Sequence, residues 1–348
     1  MKLYDKINNN EVYVIAEMSA NHGGSIENAY QIIEQAANAG ADCVKIQTYT
    51  ADSLTIDCKD EPYRIKGGLW DGYNYYQLYQ EAMTPWEWQA DLKRKCEECG
   101  VDFLSTPFDK TGVDFLEELG VEFYKIASFE MIDIPLVRYI ASKHKPIIMS
   151  VGMGSEEEIT EAITACREMG NEQIVILKCC SQYPAHYEDM NISVIPKMRE
   201  LFGIPVGLSD HSFGSLADVV AVSMGACVIE KHVKLDDETI ESADSGFSMK
   251  MSDFARMVSD VRNAKVIMGR PSLELTKAER DGLGGRRSLV AVKPITAGEI
   301  FTEENVRSIR PAIGIKPKYM DVLLGRPAKK DYAFGEPIGM DEVTEQTE

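Results

Sequence analysis

Eight short apolar runs recur along this chain, at 12–18, 42–49, 102–108, 122–128, 146–152, 174–180, 205–211 and 227–233. Stretches of helical period lie between several of them. Within 26–39, Ala29, Ile32, Ile33, Ala36 and Ala37 fall on one stripe. Within 155–169, Ser155 and Glu158 form a capping-box signature ahead of Ile159, Ala162, Ile163 and Cys166. Segments 213–224 and 251–268 repeat the theme. Strands that alternate with helices build a parallel sheet with right-handed crossovers. Near-continuous apolar runs suit strands buried on both faces. Eight such units favour closure into a (β/α)8 TIM barrel, an α/β fold, and no G-x-G-x-x-G motif follows the first run.

Each run also ends in polar side chains: Glu17; Lys45 and Gln47; Thr106; Lys125 and Ser128; Ser150; Lys178; Ser209, Asp210 and His211; Glu230 and His232. In a barrel these ends converge on the face that carries active sites.

A barrel takes about 250 residues, and the chain has 348. The expected layout is a barrel at 1–269, a polar, Gly-rich linker at 270–286 and a small β-rich domain at 287–348, where runs at 288–292 and 305–309 are broken by Pro and Gly punctuation. One connection, 50–85, is far longer than a usual βα loop and carries Trp70, Tyr73, Tyr75, Tyr76 and Tyr79. Its placement after the second run suits a specificity lid, the alternative being a surface excursion with its own small aromatic core.

The net charge of −19 argues against nucleic-acid binding and suggests a cytoplasmic protein. An anionic substrate would then need positive charge gathered locally. No run is long enough to span a membrane, and the N-terminus has no apolar signal core. The eight cysteines follow no secreted-scaffold pattern and are expected reduced, with Cys179 and Cys180 as packing residues.

His211 and His232 end neighbouring strands of the expected barrel. Two imidazoles there could share one divalent ion, with open positions for water or substrate, or could be hydrogen-bonded core residues. Nitrogen and oxygen ligands suit Mn²⁺ or a similar ion. His22 is a possible third neighbour, whereas His144 and His186 read as surface residues. Lys45 and Lys125 lie inside apolar runs, where a lysine needs an anionic partner. With Thr106, Ser128, Ser150 and Ser209 they describe an anion pocket. The alternative is ion pairing with Glu17 or Glu130. The turn before Ser155 adds a helix N-terminus that could hold phosphate. Glu17 and Glu130 are the carboxylates placed to orient or deprotonate water.

Taken together, Glu17-Met-Ser-Ala-Asn-His-Gly-Gly, Lys45-Ile-Gln-Thr-Tyr, Ser105-Thr-Pro-Phe-Asp, Lys125-Ile-Ala-Ser-Phe-Glu130, Ser150-Val-Gly-Met, Gly207-Leu-Ser-Asp-His211 and Glu230-Lys-His232 resemble the sialic acid synthase family. Arg286-Arg287-Ser288-Leu289 and Ile309-Arg310-Pro311 are similar to its C-terminal antifreeze-protein-like (SAF) domain. The resemblance implies a transferase that joins phosphoenolpyruvate to an acetamido sugar, giving a nonulosonic acid and phosphate. It implies a divalent metal, Mn²⁺ foremost with Mg²⁺ or Co²⁺ as alternatives, on His211 and His232. It also implies a domain-swapped homodimer in which Arg310 of one chain reaches the sugar in the other. The stretch 64–88 is most similar to the branch that makes pseudaminic acid, which implies 2,4-diacetamido-2,4,6-trideoxy-L-altrose as the sugar. The N-acetylneuraminate and legionaminate branches are the alternative. Cys180-Ser181-Gln182 departs from the family pattern, so Ser181 receives no role.

Overall fold

The computed structural model describes residues 2–344; Met1 and 345–348, the outer ends of the expected domains, lie outside them. The chain divides into two compact units, Met1–Gly269 and Arg270–Glu348.

In the first unit all eight apolar runs form strands: β1 (Tyr13–Glu17), β2 (Cys43–Thr48), β3 (Asp102–Pro107), β4 (Tyr124–Ile126), β5 (Ile147–Ser150), β6 (Ile174–Cys179), β7 (Val206–Asp210) and β8 (Val228–Lys234). Parallel ladders run in the order β3-β2-β1-β8-β7-β6-β5-β4, and β3 packs beside β4, so the barrel is nearly closed. The helices fall where their periodicity placed them, at Ile26–Asn38, Glu156–Glu168, Leu216–Ser223 and Met251–Met268. Ser155 and Glu158 make the reciprocal capping box.

Strand side chains alternate between two compartments, as a period of two requires. Val14, Val44, Ile176, Leu208 and Ile229 point outward into the layer shared with the helices. Tyr13, Ile15, Cys43, Leu104, Phe123, Ile148, Val175, Leu177 and Val228 point inward and fill the lower barrel. The short helix Leu3–Asn8 closes the bottom: Leu3 is buried in that inner cluster, with Tyr4 and Ile7 packed on it. Gly207 is the inward residue of β7 in register with Leu177, and a Cβ there would lie 2.5 Å from the Val228 carbonyl. Apolar side chains therefore occupy the floor, and the polar inward residues occupy the top.

The loop at 50–85 is not structureless. It contains the helices Ala51–Leu54 and Tyr75–Ala82 and a 3-10 turn at Glu61–Tyr63.

In the second unit, Ser288–Ala291 and Val306–Ile309 pair antiparallel over a small core that includes Leu289, Ile295, Phe301, Tyr332 and Ile338. The expected linker carries the helix Lys277–Asp281 and a 3-10 turn at Gly282–Gly285, and it groups with this unit. Among the described residues, no helix is long and apolar enough to cross a membrane.

Candidate active site

The mouth of the barrel is built from inward positions at the strand ends. Glu17 of β1, Lys45 of β2 and His232 of β8 stand side by side in register. The Lys45 ammonium lies 2.7 Å from Glu17, 3.8 Å from Glu230 and 3.5 Å from the Thr106 hydroxyl. Lys125 donates to the Ser150 hydroxyl at 2.6 Å and lies 3.8 Å from Glu230. Ser209 donates to the same Glu230 carboxylate at 2.9 Å. Six of the expected site residues thus share one buried network, and Glu230 is its hub. Ser128 sits at its edge, where it accepts the Gly152 amide at 3.1 Å. A Cβ on Gly152 would lie 3.0 Å from the Ser128 hydroxyl and 2.4 Å from that of Ser181, so glycine keeps this corner open.

The electrostatics follow from burial and pairing. Burial pushes the Glu17 carboxyl up, against the pull of Lys45. Burial would also raise Glu230, but the Lys125 and Lys45 ammoniums hold it below the usual carboxylate range. Lys45 is raised because Glu17 and Glu230 outweigh the burial that would lower it. Lys125 is lowered by burial, which Glu230 only partly offsets. Two lysines thus face one firmly ionised carboxylate and a second shifted toward its neutral form.

Glu130 is not the lysines' partner. It stands apart, with Oε2 buried and unpartnered, and burial raises its carboxyl to about 7.

His211 and His232 lie with ring centroids 5.3 Å apart. His211 Nδ1 donates to the Cys180 carbonyl at 2.9 Å, which orients the ring; burial would lower this imidazole, but Cys179 and that hydrogen bond raise it. Burial and the charges of His211 and Lys45 hold His232 well below the ordinary imidazole range, so it is neutral, and its Nδ1 is buried without a partner. A neutral imidazole, a buried orphan nitrogen and a carbonyl-anchored second ring are the features of a pair that fits a divalent ion. Among the described residues, no group of three or more His, Cys, Asp or Glu side chains comes together to hold one.

Several expectations are corrected. His22 is no third neighbour: its ring packs edge-on against Trp88 at 5.5 Å and lies 3.5 Å from the Thr84 hydroxyl, and burial lowers it to about 4. Asp210 and Lys231 face the helix layer, where they pair with each other, not the mouth. The helix N-terminus after Ser155 is satisfied by its own capping box and carries three glutamates in its first turn, which disfavours an anion there. Cys179 does more than pack: its sulfur lies 3.8 Å from His211 Nδ1. All eight cysteines are free, Cys96 and Cys99 included, and His144 and His186 are exposed.

Sequence reasoning gave no role to the aromatic wall of the site. Tyr183 packs tilted against His211 at 4.3 Å, and Phe247 lies 4.9 Å from His232. Trp70, from the long loop after β2, packs on both at 5.6 and 6.3 Å and donates its indole N–H to the Ala243 carbonyl at 2.8 Å. The loop therefore reaches across the barrel to the histidine pair. Asp244, buried beside Ala20 and raised by burial, was also missed.

Residues 32–272 match the NeuB family, and residues 286–344 match the SAF domain. The chain belongs to the NeuB family. A pseudaminic acid synthase of Campylobacter jejuni (strain 81-176) is 47% identical over 328 residues, which is 94% of this chain and 95% of that one. A pseudaminic acid synthase of Helicobacter pylori is 38% identical over 332 residues, 95% of this chain and 97% of that one. The solved N-acetylneuraminic acid (sialic acid) synthetase of Leptospira borgpetersenii serovar Hardjo-bovis, in complex with citrate, matches with a TM-score of 0.71 and 30% identity, covering 79% of this chain and 91% of that one. In this NeuB family member, barrel and SAF domain follow one another in the expected order. Arg310 directly follows the second strand of the SAF pair; it is exposed and forms no ion pair or hydrogen bond among the described residues.

Proposed function

We propose that this chain is a pseudaminic acid synthase, condensing phosphoenolpyruvate with 2,4-diacetamido-2,4,6-trideoxy-L-altrose and water to give pseudaminic acid and phosphate. The observation that carries the chemistry is the pair of buried ammoniums, Lys45 and Lys125, ringed by Thr106, Ser150 and Ser209. The sugar follows the names of the two relatives that match along almost the whole chain.

Lys45, Lys125 and the three hydroxyls hold the phosphate and carboxylate of phosphoenolpyruvate, with Ser128 at the edge of that pocket. Its C3 carbon bonds to the aldehyde carbon of the open-chain sugar, and positive charge develops at C2. Glu17 orients a water that adds to C2. The tetrahedral intermediate then expels phosphate by breaking the C–O bond, so the phosphate keeps only its original oxygens. Glu130 holds the sugar. Positioning and preset charge supply most of the rate. His211 and His232 would hold a divalent ion, Mn²⁺ foremost, which when bound supplies Lewis acidity toward the sugar carbonyl. Arg310 reaches the acetamido group from the second chain of a domain-swapped homodimer in the cytoplasm.

The test is turnover on a panel of the altrose sugar, N-acetylmannosamine and the legionaminic precursor in ¹⁸O-water. The altrose sugar is expected to lead in kcat/KM, with the label in the sugar acid. Preference for either other sugar overturns the specificity, and label in the released phosphate overturns C–O cleavage.

A further inference from the structure

The polar residues of β8 serve two compartments. Glu230 and His232 face the mouth. Lys231 between them faces the opposite way, into the layer under helix Leu216–Ser223, and is only 1% exposed. All three of its N–H donors are engaged there. They go to the Asp210 carboxylate, the Ser212 carbonyl at 2.6 Å and the Gly214 carbonyl at 2.9 Å. Asp218, on the first turn of that helix, stands 3.7 Å away. Asp210 in turn accepts the Ser212 amide at 2.8 Å and the Ser212 hydroxyl at 3.1 Å. One ammonium on β8 therefore fastens the whole turn that leaves β7.

That turn contains His211, and the residue after Lys231 is His232. Asp210 and Lys231 are direct partners in the β7–β8 ladder. Each histidine is thus one residue from a member of the buried cluster. A buried lysine and two aspartates are weak evidence for a stability role, because apolar side chains of similar volume often do as well in such a layer. What the cluster adds is geometry: it fixes where one histidine-bearing segment sits relative to the other.

We infer that Lys231 is a positioning residue that sets the spacing and orientation of the His211–His232 pair from the far side of the sheet. It touches neither imidazole and no reacting group. The inference goes beyond the reading of that pair as a metal site, and only its metal arm rests on it.

The test begins with metal-stripped protein and ring-labelled histidine, observed by NMR. Lys231→Met is expected to shift and broaden the His211 and His232 signals, while those of His22, His144 and His186 stay in place. Asp42→Asn, which disturbs the ion pairs of a buried carboxylate with the partly exposed Lys6 and Arg262 at the opposite end of the barrel, is expected to leave the pair unchanged. In the second arm, Mn²⁺ titration followed by electron paramagnetic resonance is expected to show Kd raised roughly tenfold or more in Lys231→Met, the usual scale for loss of a ligand's outer support. Should Lys231→Met not fold, Asp210→Asn keeps the shape of the cluster and removes its charge pair, with the same expectations. Unmoved imidazole signals in a folded variant overturn the inference. If wild type binds Mn²⁺ no better than a His211→Ala/His232→Ala variant, the metal reading falls instead, and the metal-free spectra still decide the role of Lys231.

Discussion

Glu130 and the two imidazoles carry the sharpest expectations among individual residues. An unfolded glutamate titrates at about 4.3, whereas Glu130 is held at about 7. The folded chain therefore binds this proton more tightly than the unfolded chain. The associated stability is complete below the unfolded value and is lost as pH rises through 7. Glu130→Gln, which stays neutral, should be more stable than wild type at pH 8.5, by up to ~4 kcal/mol, and equal to it near pH 4. Calorimetric unfolding at the two pH values checks this; equal midpoints at both would show that the carboxyl is solvated. For the imidazoles, EDTA is expected to abolish turnover and Mn²⁺ to restore it, and turnover indifferent to EDTA would remove the metal from the reaction. Most of this site was legible because a charged group inside an apolar run is conspicuous. Glu230 was visible but unassigned. Its role follows from sharing strand parity with His232 and from register with β7, and only the register needs the fold. Tyr183 and Phe247 carried no signal, since an aromatic residue in a loop looks the same whether it packs on a helix or on a catalytic histidine.

At the scale of elements, period two decides which strand-end groups belong to the mouth. Lys45, Lys125 and Glu230 share the inward parity; Asp210 and Lys231 do not. The strands and helices were readable from periodicity and caps, because the same burial that stabilises them writes the pattern. The long loop after β2 was readable from its length and its aromatic residues as a lid, but not in where it docks. Its docking depends on Trp70 meeting Tyr183 and Phe247, far away in sequence. Trp70→Ala is expected to raise KM for the sugar about tenfold, which corresponds to ~1.4 kcal/mol, and to leave KM for phosphoenolpyruvate within about twofold. A matched rise in both would mean that the loop supports the whole site and not the sugar side.

At the scale of the molecule, both units match their expected architecture, one a barrel and one a small β domain. Arg310 is exposed and without a partner among the described residues, so the proposed sharing of sites between chains can be tested on it. Mixing an Arg310→Ala subunit with a Lys125→Met subunit should regain up to about a quarter of wild-type activity if subunits exchange at random and sites are shared between chains. Recovery no greater than the sum of the two inactive proteins would place Arg310 with its own barrel.

The plug formed by Leu3–Asn8 has a kinetic consequence. A barrel stoppered at its floor is a vessel with one opening. Whatever settles against Lys45 and Lys125, which are 4% and 2% exposed, must pass the histidines and the aromatic wall both on arrival and on departure. Two reactants that share one doorway cannot enter in either order when one of them stands in it. For the proposed reaction this predicts ordered binding, phosphoenolpyruvate first and the sugar second. It also predicts that the sugar acid leaves before the anion subsite is refilled, so the floor of the barrel would set the order of events as much as the chemistry at its mouth.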